Sequence, residues 1–440
     1  MKKWFLSFVG ILLIVGLLTA CGPDETDEDA SSNESNNEDT TENEGTTEDA
    51  SEESEMPEKP EKLTVWINAE EKQEEAVAQI AEKYTDETGI EIEAIPINML
   101  DQVEKLGVEG PAGNGPDVIF QPHDRIGDLV LKGLIDPVDL GEKAGEYTDS
   151  AVSAVTMDGD IWGYPAVTET YALFYNSSIV DGAPETMDDL MTIADEKTNA
   201  ANDEYGFLME GANFYFTYPF FSGNGAYVFN NENGTYDISD IGLNNEGAVE
   251  GGKLIQSWFD NGYIPQDLTP DIMNGLFKEG KVAAVINGPW MVREYSEALG
   301  DDLKAAPLPL LDNGENPKSF IGVKGYLLSY YSENKDWAQD FMSFVTNSEN
   351  AMLYYNLAGE MPARVDSIDN PAIADDPIYS ALAEQATYGE AMPGVPAMQQ
   401  VWEPINNALS FISKGEPVEE VLNEAVQMIE DNIEASGATE

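Results

Sequence analysis

Apolar and polar positions recur along this chain with two periods, and the switches between them mark out its elements. Leu63-Thr-Val-Trp-Ile-Asn68 is a short apolar run that predicts a strand. Ala76, Val77, Ile80, Ala81 and Tyr84 then recur three or four apart, the spacing of one helix face, and Gly89 is placed to close that helix. Ile90 to Ile97 alternates as a second strand. Gly113-Asn-Gly-Pro116 is a turn, and Asp117-Val-Ile-Phe120 a third strand. Strand–helix–strand order predicts an α/β fold with a parallel sheet covered by helices. Asp158-Gly159, between Val155 and Ile161, predicts a hairpin turn. Val282 to Ile286 is a further strand broken at Asn287-Gly288-Pro289, with a helix expected from Trp290. The last element starts at Pro417, where Val418, Val421, Leu422, Ala425, Met428, Ile429 and Ile433 form one helix face. No internal repeat is present.

Ahead of Leu63 the pattern is different. Met1-Lys2-Lys3 is basic, Trp4 to Leu18 is apolar, and Leu18-Thr19-Ala20-Cys21 follows, which together read as an export signal. Residues 22–62 hold 17 acidic residues and 2 lysines, no aromatic and almost no large apolar residue. Such a segment cannot offset the entropy of folding and is expected to be a disordered spacer. A flexible chain of ~40 residues spans on the order of 35 Å, and like charges extend it. Leu-Thr-Ala-Cys resembles the lipobox of bacterial lipoproteins, in which the cysteine is lipidated and becomes the first residue of the mature chain. Cys21 is the only cysteine in the sequence. The resemblance implies a signal peptide over 1–20 and a lipidated acidic tether over 21–62. It also implies a body held at the extracellular face of the cell membrane, built without disulfides. The competing reading is a transmembrane anchor, for which Trp4–Leu18 is short of the ~20 residues a span needs.

Charge then removes whole classes of function. The net charge is −63, which excludes an ordinary nucleic-acid binder, since phosphate neutralisation needs a basic face. The excess is not confined to the spacer: the chain beyond residue 62 keeps 67 acidic against 17 basic residues. A body so acidic carries a carboxylate-covered surface, suited to high salt or alkaline pH. About 420 residues beyond the signal are too many for one ordinary core and point to two domains.

Most catalytic chemistry has no candidates. With one histidine, His123, and one cysteine, the chain cannot build a zinc site or a Cys–His pair. It has no Gly-x-Ser-x-Gly elbow, no Gly-rich phosphate loop and no calcium loop of Asp-x-Asp-x-Asp-Gly type. No metal or cofactor is implied. Aromatics are present in unusual settings. Polar and aromatic residues alternate in Asn213-Phe-Tyr-Phe-Thr-Tyr-Pro219. Trp290 follows an Asn-Gly-Pro turn, and Trp402 sits beside Glu403 and Pro404, after Met392-Pro-Gly-Val-Pro396. A pyranose stacks its C–H face on a flat ring, while its hydroxyls need acceptors and fixed donors. Carboxylates accept hydroxyl protons, and Arg125, one of three arginines, follows His123-Asp124 at a strand end. From the residues alone each tryptophan reads as core more readily than as a sugar platform.

Eight segments in order resemble the maltose/maltodextrin-binding proteins of bacterial ABC importers, from Leu63 to about Ile433. They are Val-Trp-Ile-Asn68, Asp-Glu-Thr-Gly-Ile90, Gly-Pro-Asp-Val-Ile-Phe120, His-Asp-Arg125, Gly-Tyr-Pro165, Tyr-Phe-Thr-Tyr-Pro219, Ile-Asn-Gly-Pro-Trp290 and Met-Pro-Gly-Val-Pro396. The resemblance implies a two-lobed periplasmic-binding-protein-like α/β fold, each lobe a sheet flanked by helices. One lobe takes 63–168 plus 315–370 and the other 171–310 plus 375–440, with a hinge between them. It implies a monomer that captures maltose or maltodextrin in the cleft and delivers it to membrane permease subunits.

The same resemblance implies ligand-binding roles, residue by residue. Glu70 falls at the acidic position after the first strand. Asp124 and Arg125 match the hydroxyl-binding pair, and Gln121 stands where the enteric form has a tryptophan. Glu169 matches the carboxylate at the lobe crossing. Tyr215 matches the stacking tyrosine, with Asn213 in place of an acidic partner, and Trp290 and Trp402 match the two stacking tryptophans. Glu403 and Asn406 replace the tyrosine and arginine of the enteric form. His123 is expected to brace its turn, and Trp66 and Trp162 to lie in cores. The rivals are a cell-surface glycoside hydrolase using Glu169 with Asp124 or Glu70, whose carboxyls would have to lie about 5–10 Å apart, and a glycan-holding adhesin.

Overall fold

The computed structural model describes residues 56–232, 235–368 and 370–438. The signal segment, Cys21 and most of the acidic spacer lie outside the described residues. The body begins earlier than expected: Trp337 Nε1 donates to the carbonyl of Pro57 (3.1 Å) and Lys59 Nζ to that of Thr88 (2.7 Å).

Strand β1 (Lys62–Ile67) leads into α1 (Glu71–Thr88) and β2 (Glu91–Pro96), followed by β3 (Val118–Pro122). Helix α1 has acidic Glu71 and Glu74 in its first turn, facing the positive end of the helix dipole, and Gly89 closes it at φ 73°. The pleat sorts β1 between two cores. Leu63, Val65 and Ile67 join Tyr84 and Phe341 on one face, and Trp66 joins Leu106 and Ile119 on the other. Trp162 packs half-buried against the second of these. The hairpin forms where expected, with Asp158 and Gly159 both at positive φ between paired residues 156–157 and 160–161.

Strand β4 (Gly163–Glu169) ends in the first sheet, and β5 (Ala172–Asn176) opens a second, joined by β6 (Tyr205–Leu208). Helices α2 (Phe214–Ser222) and α3 (Glu246–Asp260) pack on it, before β7 (Val282–Asn287) and β8 (Leu303–Ala306) complete it. A single 3₁₀ turn, Pro289–Met291, precedes the helix expected from Trp290, which runs from Val292 to Leu299. The chain then re-enters the first sheet as β9 (Phe320–Ser329), with β10 (Met361–Pro362) at its edge. Helices α4 (Gln399–Ile412) and α5 (Val418–Ser436) finish the body.

The first sheet runs β10-β4-β9-β3-β1-β2, and the second β8-β5-β7-β6. Only part of the first matches the expected parallel sheet. β1 pairs parallel with β2 and β3, but β9 inserts antiparallel between β3 and β4. A strand that arrives from another sheet is free of the right-handed crossover that makes neighbours parallel. The α5 face also needs correction. Its buried stripe runs through Leu422, Val426, Ile429 and Ile433, leaving Met428 49% exposed.

Candidate functional site

The site is built where the two sheets' elements meet. Beyond β3 the chain makes a 3₁₀ turn, His123–Arg125. His123 Nδ1 accepts from the Val323 N–H (3.1 Å), so its other nitrogen carries the proton donated to the Met392 carbonyl (3.0 Å). The ring thus ties β9 to the segment leading into α4. Gly127 allows the same approach, since a Cβ there would lie 2.7 Å from Pro396 N. On α4, Gln399 and Trp402 share a face. Gln399 Nε2 donates to the carbonyl of Asp124 (2.7 Å) and to its Oδ2 (3.1 Å), and Trp402 Nε1 donates to the same oxygen (3.2 Å). Arg125 Nε lies 3.8 Å from Asp124 Oδ2, an ion pair beyond hydrogen-bond reach.

The aromatic wall comes from α2, which is buried on every side except at Tyr215. Asn213 caps it, accepting from the Tyr215 N–H (3.1 Å). The Tyr215 ring centroid stands 5.0 Å from Tyr171, 6.3 Å from Phe320 and 6.4 Å from Trp290. Trp402 is joined to the group through Phe320 at 6.1 Å. Trp290 folds back over Gly288, where a Cβ would come within 2.1 Å of the indole ring. Gly288 has φ −101°, which any residue adopts. Gly288→Ala is therefore expected to displace Trp290 with little backbone strain. A misfit of that kind costs ~1–3 kcal/mol, and titration calorimetry should show it as weakened ligand binding.

A third component is charged. Glu169, the last residue of β4, places Oε2 2.6 Å from Lys324 Nζ on β9, and the same Nζ lies 2.5 Å from Glu360 Oε1. Glu360 Oε2 accepts from Tyr354 OH (2.9 Å), and the ammonium stands 5.0 Å over the Trp290 ring. Burial raises the pKa of Glu169; Lys324 opposes this and Glu360 adds to it. Burial alone would lower the pKa of Lys324, but the two carboxylates overcome it and raise it above the ordinary value. Burial also raises the pKa of Glu70, at the exposed start of α1, against the opposing pull of Lys324.

Asp124, Arg125, Glu169, Tyr215, Trp290 and Trp402 are thus brought together through direct contacts or through Phe320 and Lys324. Gln121 is set apart: its amide nitrogen is held by the Met99 carbonyl (2.6 Å), Gln102 Oε1 (3.1 Å) and the Phe120 carbonyl (3.0 Å). Among the described residues six buried side-chain atoms lack a hydrogen bond; Arg125 Nε, Tyr215 OH and Glu169 Oε2 lie in this cluster, and Gln121 Oε1, Trp258 Nε1 and Arg293 Nε outside it. The one group that Glu169 Oε2 meets is the Lys324 ammonium, at 2.6 Å. Such groups are costly unless a partner arrives.

Lys324, Glu360, Phe320 and Gln399 are not singled out by the sequence reading. Lys324 carried a usable signal, a lone charge inside the apolar run Phe320–Ser329. A cavity of about 470 Å³ lies elsewhere, lined by Tyr218, Tyr227, Phe229, Tyr236, Lys318 and Glu390. None of the unpartnered buried atoms belongs to it, so the aromatic and charged cluster is the stronger candidate for a ligand site. Among the described residues no group of three or more His, Cys, Asp or Glu is arranged to hold a metal ion.

Comparison with known proteins identifies the family. The sequence matches the family model described as bacterial extracellular solute-binding protein over residues 79–381. It is 31% identical over 427 residues to a galactooligosaccharide-binding protein of Bacillus subtilis (strain 168), covering 95% of this chain and 94% of that one. It is 30% identical over 427 residues to a maltooligosaccharide ABC transporter solute-binding lipoprotein of Streptococcus pneumoniae (strain ATCC BAA-255 / R6), again covering 95% and 94%. A solved cyclo/maltodextrin-binding protein complexed with maltotetraose is 41% identical, with a TM-score of 0.72, covering 85% of this chain and 98% of that one. By the extent of that family match and by these relatives across nearly its whole length, the chain belongs to the bacterial extracellular solute-binding proteins.

Proposed function

We propose that this protein captures maltodextrins in the cleft between its lobes and delivers them to the permease of an ABC sugar importer. The observation that carries this is the convergence of three partly exposed rings, Tyr215, Trp290 and Trp402, on buried polar atoms that lack partners, Arg125 Nε and Tyr215 OH. Rings that take the C–H faces of a pyranose, beside groups that need hydroxyl partners, fit an α-1,4-glucan. Asp124, Arg125 and Glu169 face its hydroxyls, with Glu70 and Gln121 at the margins. The relatives named for maltooligosaccharide and maltodextrin support the ligand class, and the ABC transporter relative supports the import role. The lobes are 63–168 plus 315–370 and 171–310 plus 375–440, closing on the sugar by a hinge. The body acts as a monomer, tethered to the outer face of the cell membrane through a lipid on Cys21; the relative named as a lipoprotein supports that anchor.

The relative named for galactooligosaccharide favours a second ligand class, so the test compares both. Calorimetric titration with maltotriose, maltoheptaose, a cyclodextrin and a galactooligosaccharide should show one-site binding of the α-1,4-glucans and weak or no binding of the galactooligosaccharide. The reverse preference would move the assignment to the second class. Incubation with maltoheptaose should release no reducing sugar. Steady release in proportion to protein would instead make the carboxylates catalytic.

A further inference from the structure

We propose that Lys324 and Glu360 are positioning residues of the sugar site: between them they set the ionisation and orientation of Glu169, and so make ligand affinity depend on pH. This rests on the sugar-binding reading of the cleft and deepens it.

The geometry is that of one cation between two carboxylates, all three nearly inaccessible to water. Lys324 is 2% exposed, Glu360 0% and Glu169 7%. Lys324 Nζ reaches Glu169 Oε2 at 2.6 Å and Glu360 Oε1 at 2.5 Å. Glu360 has a second partner, the hydroxyl of Tyr354 (2.9 Å). Glu169 has none: the Lys324 ammonium is the one group its Oε2 meets. The trio therefore carries one uncompensated negative charge, and Glu169 is the member least well supplied with donors. Charge buried without enough donors is relieved either by taking up a proton or by meeting hydroxyl donors from a ligand. A sugar hydroxyl at Glu169 would do the second, so proton and sugar compete for one carboxylate.

Trp290, from the other sheet's elements, caps the trio, with the ammonium 5.0 Å over its ring. Lys324 thus touches the carboxylate expected to accept a hydroxyl and the ring expected to carry the pyranose. The groups that act on Glu169 are Lys324, Glu360 and Asp124, and its own charge acts on Tyr215 and Tyr354. Glu70 feels the same Lys324 and Glu360. Only Lys324 among these is a cation.

The signs follow from the charges. Burial and Glu360 push the pKa of Glu169 up, and Lys324 pulls it down. Sugar binding needs the ionised carboxylate as acceptor. Affinity should therefore fall as pH drops through the Glu169 pKa, at a value above the ~4.3 of an ordinary glutamate. A single competing proton raises Kd by up to about tenfold per pH unit below that point. Removing the charge of Glu360 must move this acid limb to lower pH. Removing the charge of Lys324 must move it to higher pH.

The experiment measures the Kd for maltotriose from pH 4 to 9 on the full-length protein and on Glu360→Gln and Lys324→Met. Thermal midpoints are taken at each pH. The expected result is an acid limb shifted down by half a unit or more in Glu360→Gln and up by a unit or more in Lys324→Met. Loss of packing alone would lower the midpoints and leave the limb in place. If Lys324→Met does not fold, Glu360→Gln decides: a limb that stays put or moves up overturns the proposal. A wild-type protein that binds no maltotriose at any pH would instead overturn the sugar-binding reading itself.

Discussion

Trp402→Ala is expected to weaken maltodextrin binding by ~2–4 kcal/mol, roughly 30- to 1,000-fold in Kd, the loss seen when a central ring is truncated in a desolvated site. Trp402 is only partly buried. Its ring joins the aromatic wall through Phe320, while its indole N–H holds Asp124 at 3.2 Å from across the cleft. Alanine removes the proposed sugar platform and one of the bonds that draw α4 towards the turn at Asp124. The thermal midpoint should move much less than in Trp258→Ala. Trp258 is fully buried against Phe207 and Phe220, and its loss should cost ~3–5 kcal/mol of stability. Calorimetric titration paired with thermal melts separates the two effects. A collapsed midpoint with unchanged affinity would make Trp402 a core residue.

Asp124→Ala is the second large effect. The carboxylate is 3% exposed and accepts from both Trp402 and Gln399, with Arg125 beside it. Removing it leaves the Trp402 indole N–H without its acceptor and the Arg125 guanidinium without its counter-charge, while Gln399 keeps only the backbone carbonyl of residue 124. Truncating one partner of a buried charged network costs ~2–5 kcal/mol, mostly through faster dissociation. Stopped-flow or surface-plasmon measurement should show the dissociation rate for maltotriose raised by at least tenfold, with association changed much less. Asp124→Asn keeps one acceptor oxygen and should recover part of the loss. A dissociation rate unchanged in Asp124→Ala would remove this residue from the site.

How much of this was legible in the sequence depends on whether the signal was local. The helix of Ala76–Tyr84 and its glycine stop, the hairpin at Asp158-Gly159 and the strand at Val282 were all legible from period and turn chemistry, because neighbours along the chain decide them. His123 was read as a brace, and both of its nitrogens are occupied by backbone groups. The family resemblance drew attention to the residues of the cleft, six of which the fold links. What was missed is what the order of strands creates. Glu169 and Lys324 meet because β9 inserts beside β4, and Glu360 joins them because β10, which it precedes, pairs with β4's other edge; nothing within any one segment announces the meeting. Met428 was misplaced because its helix buries a stripe centred nearer Val426, a residue left out of the expected face.

The most direct test of the account is a crystal structure of the protein with maltotriose. The account predicts pyranose rings stacked on Trp290, Trp402 and Tyr215, with hydroxyls bonded to Glu169, Arg125 Nε and Tyr215 OH. Sugar found instead in the cavity lined by Tyr218, Tyr227 and Tyr236, with those three rings and Glu169 uncontacted, would contradict it.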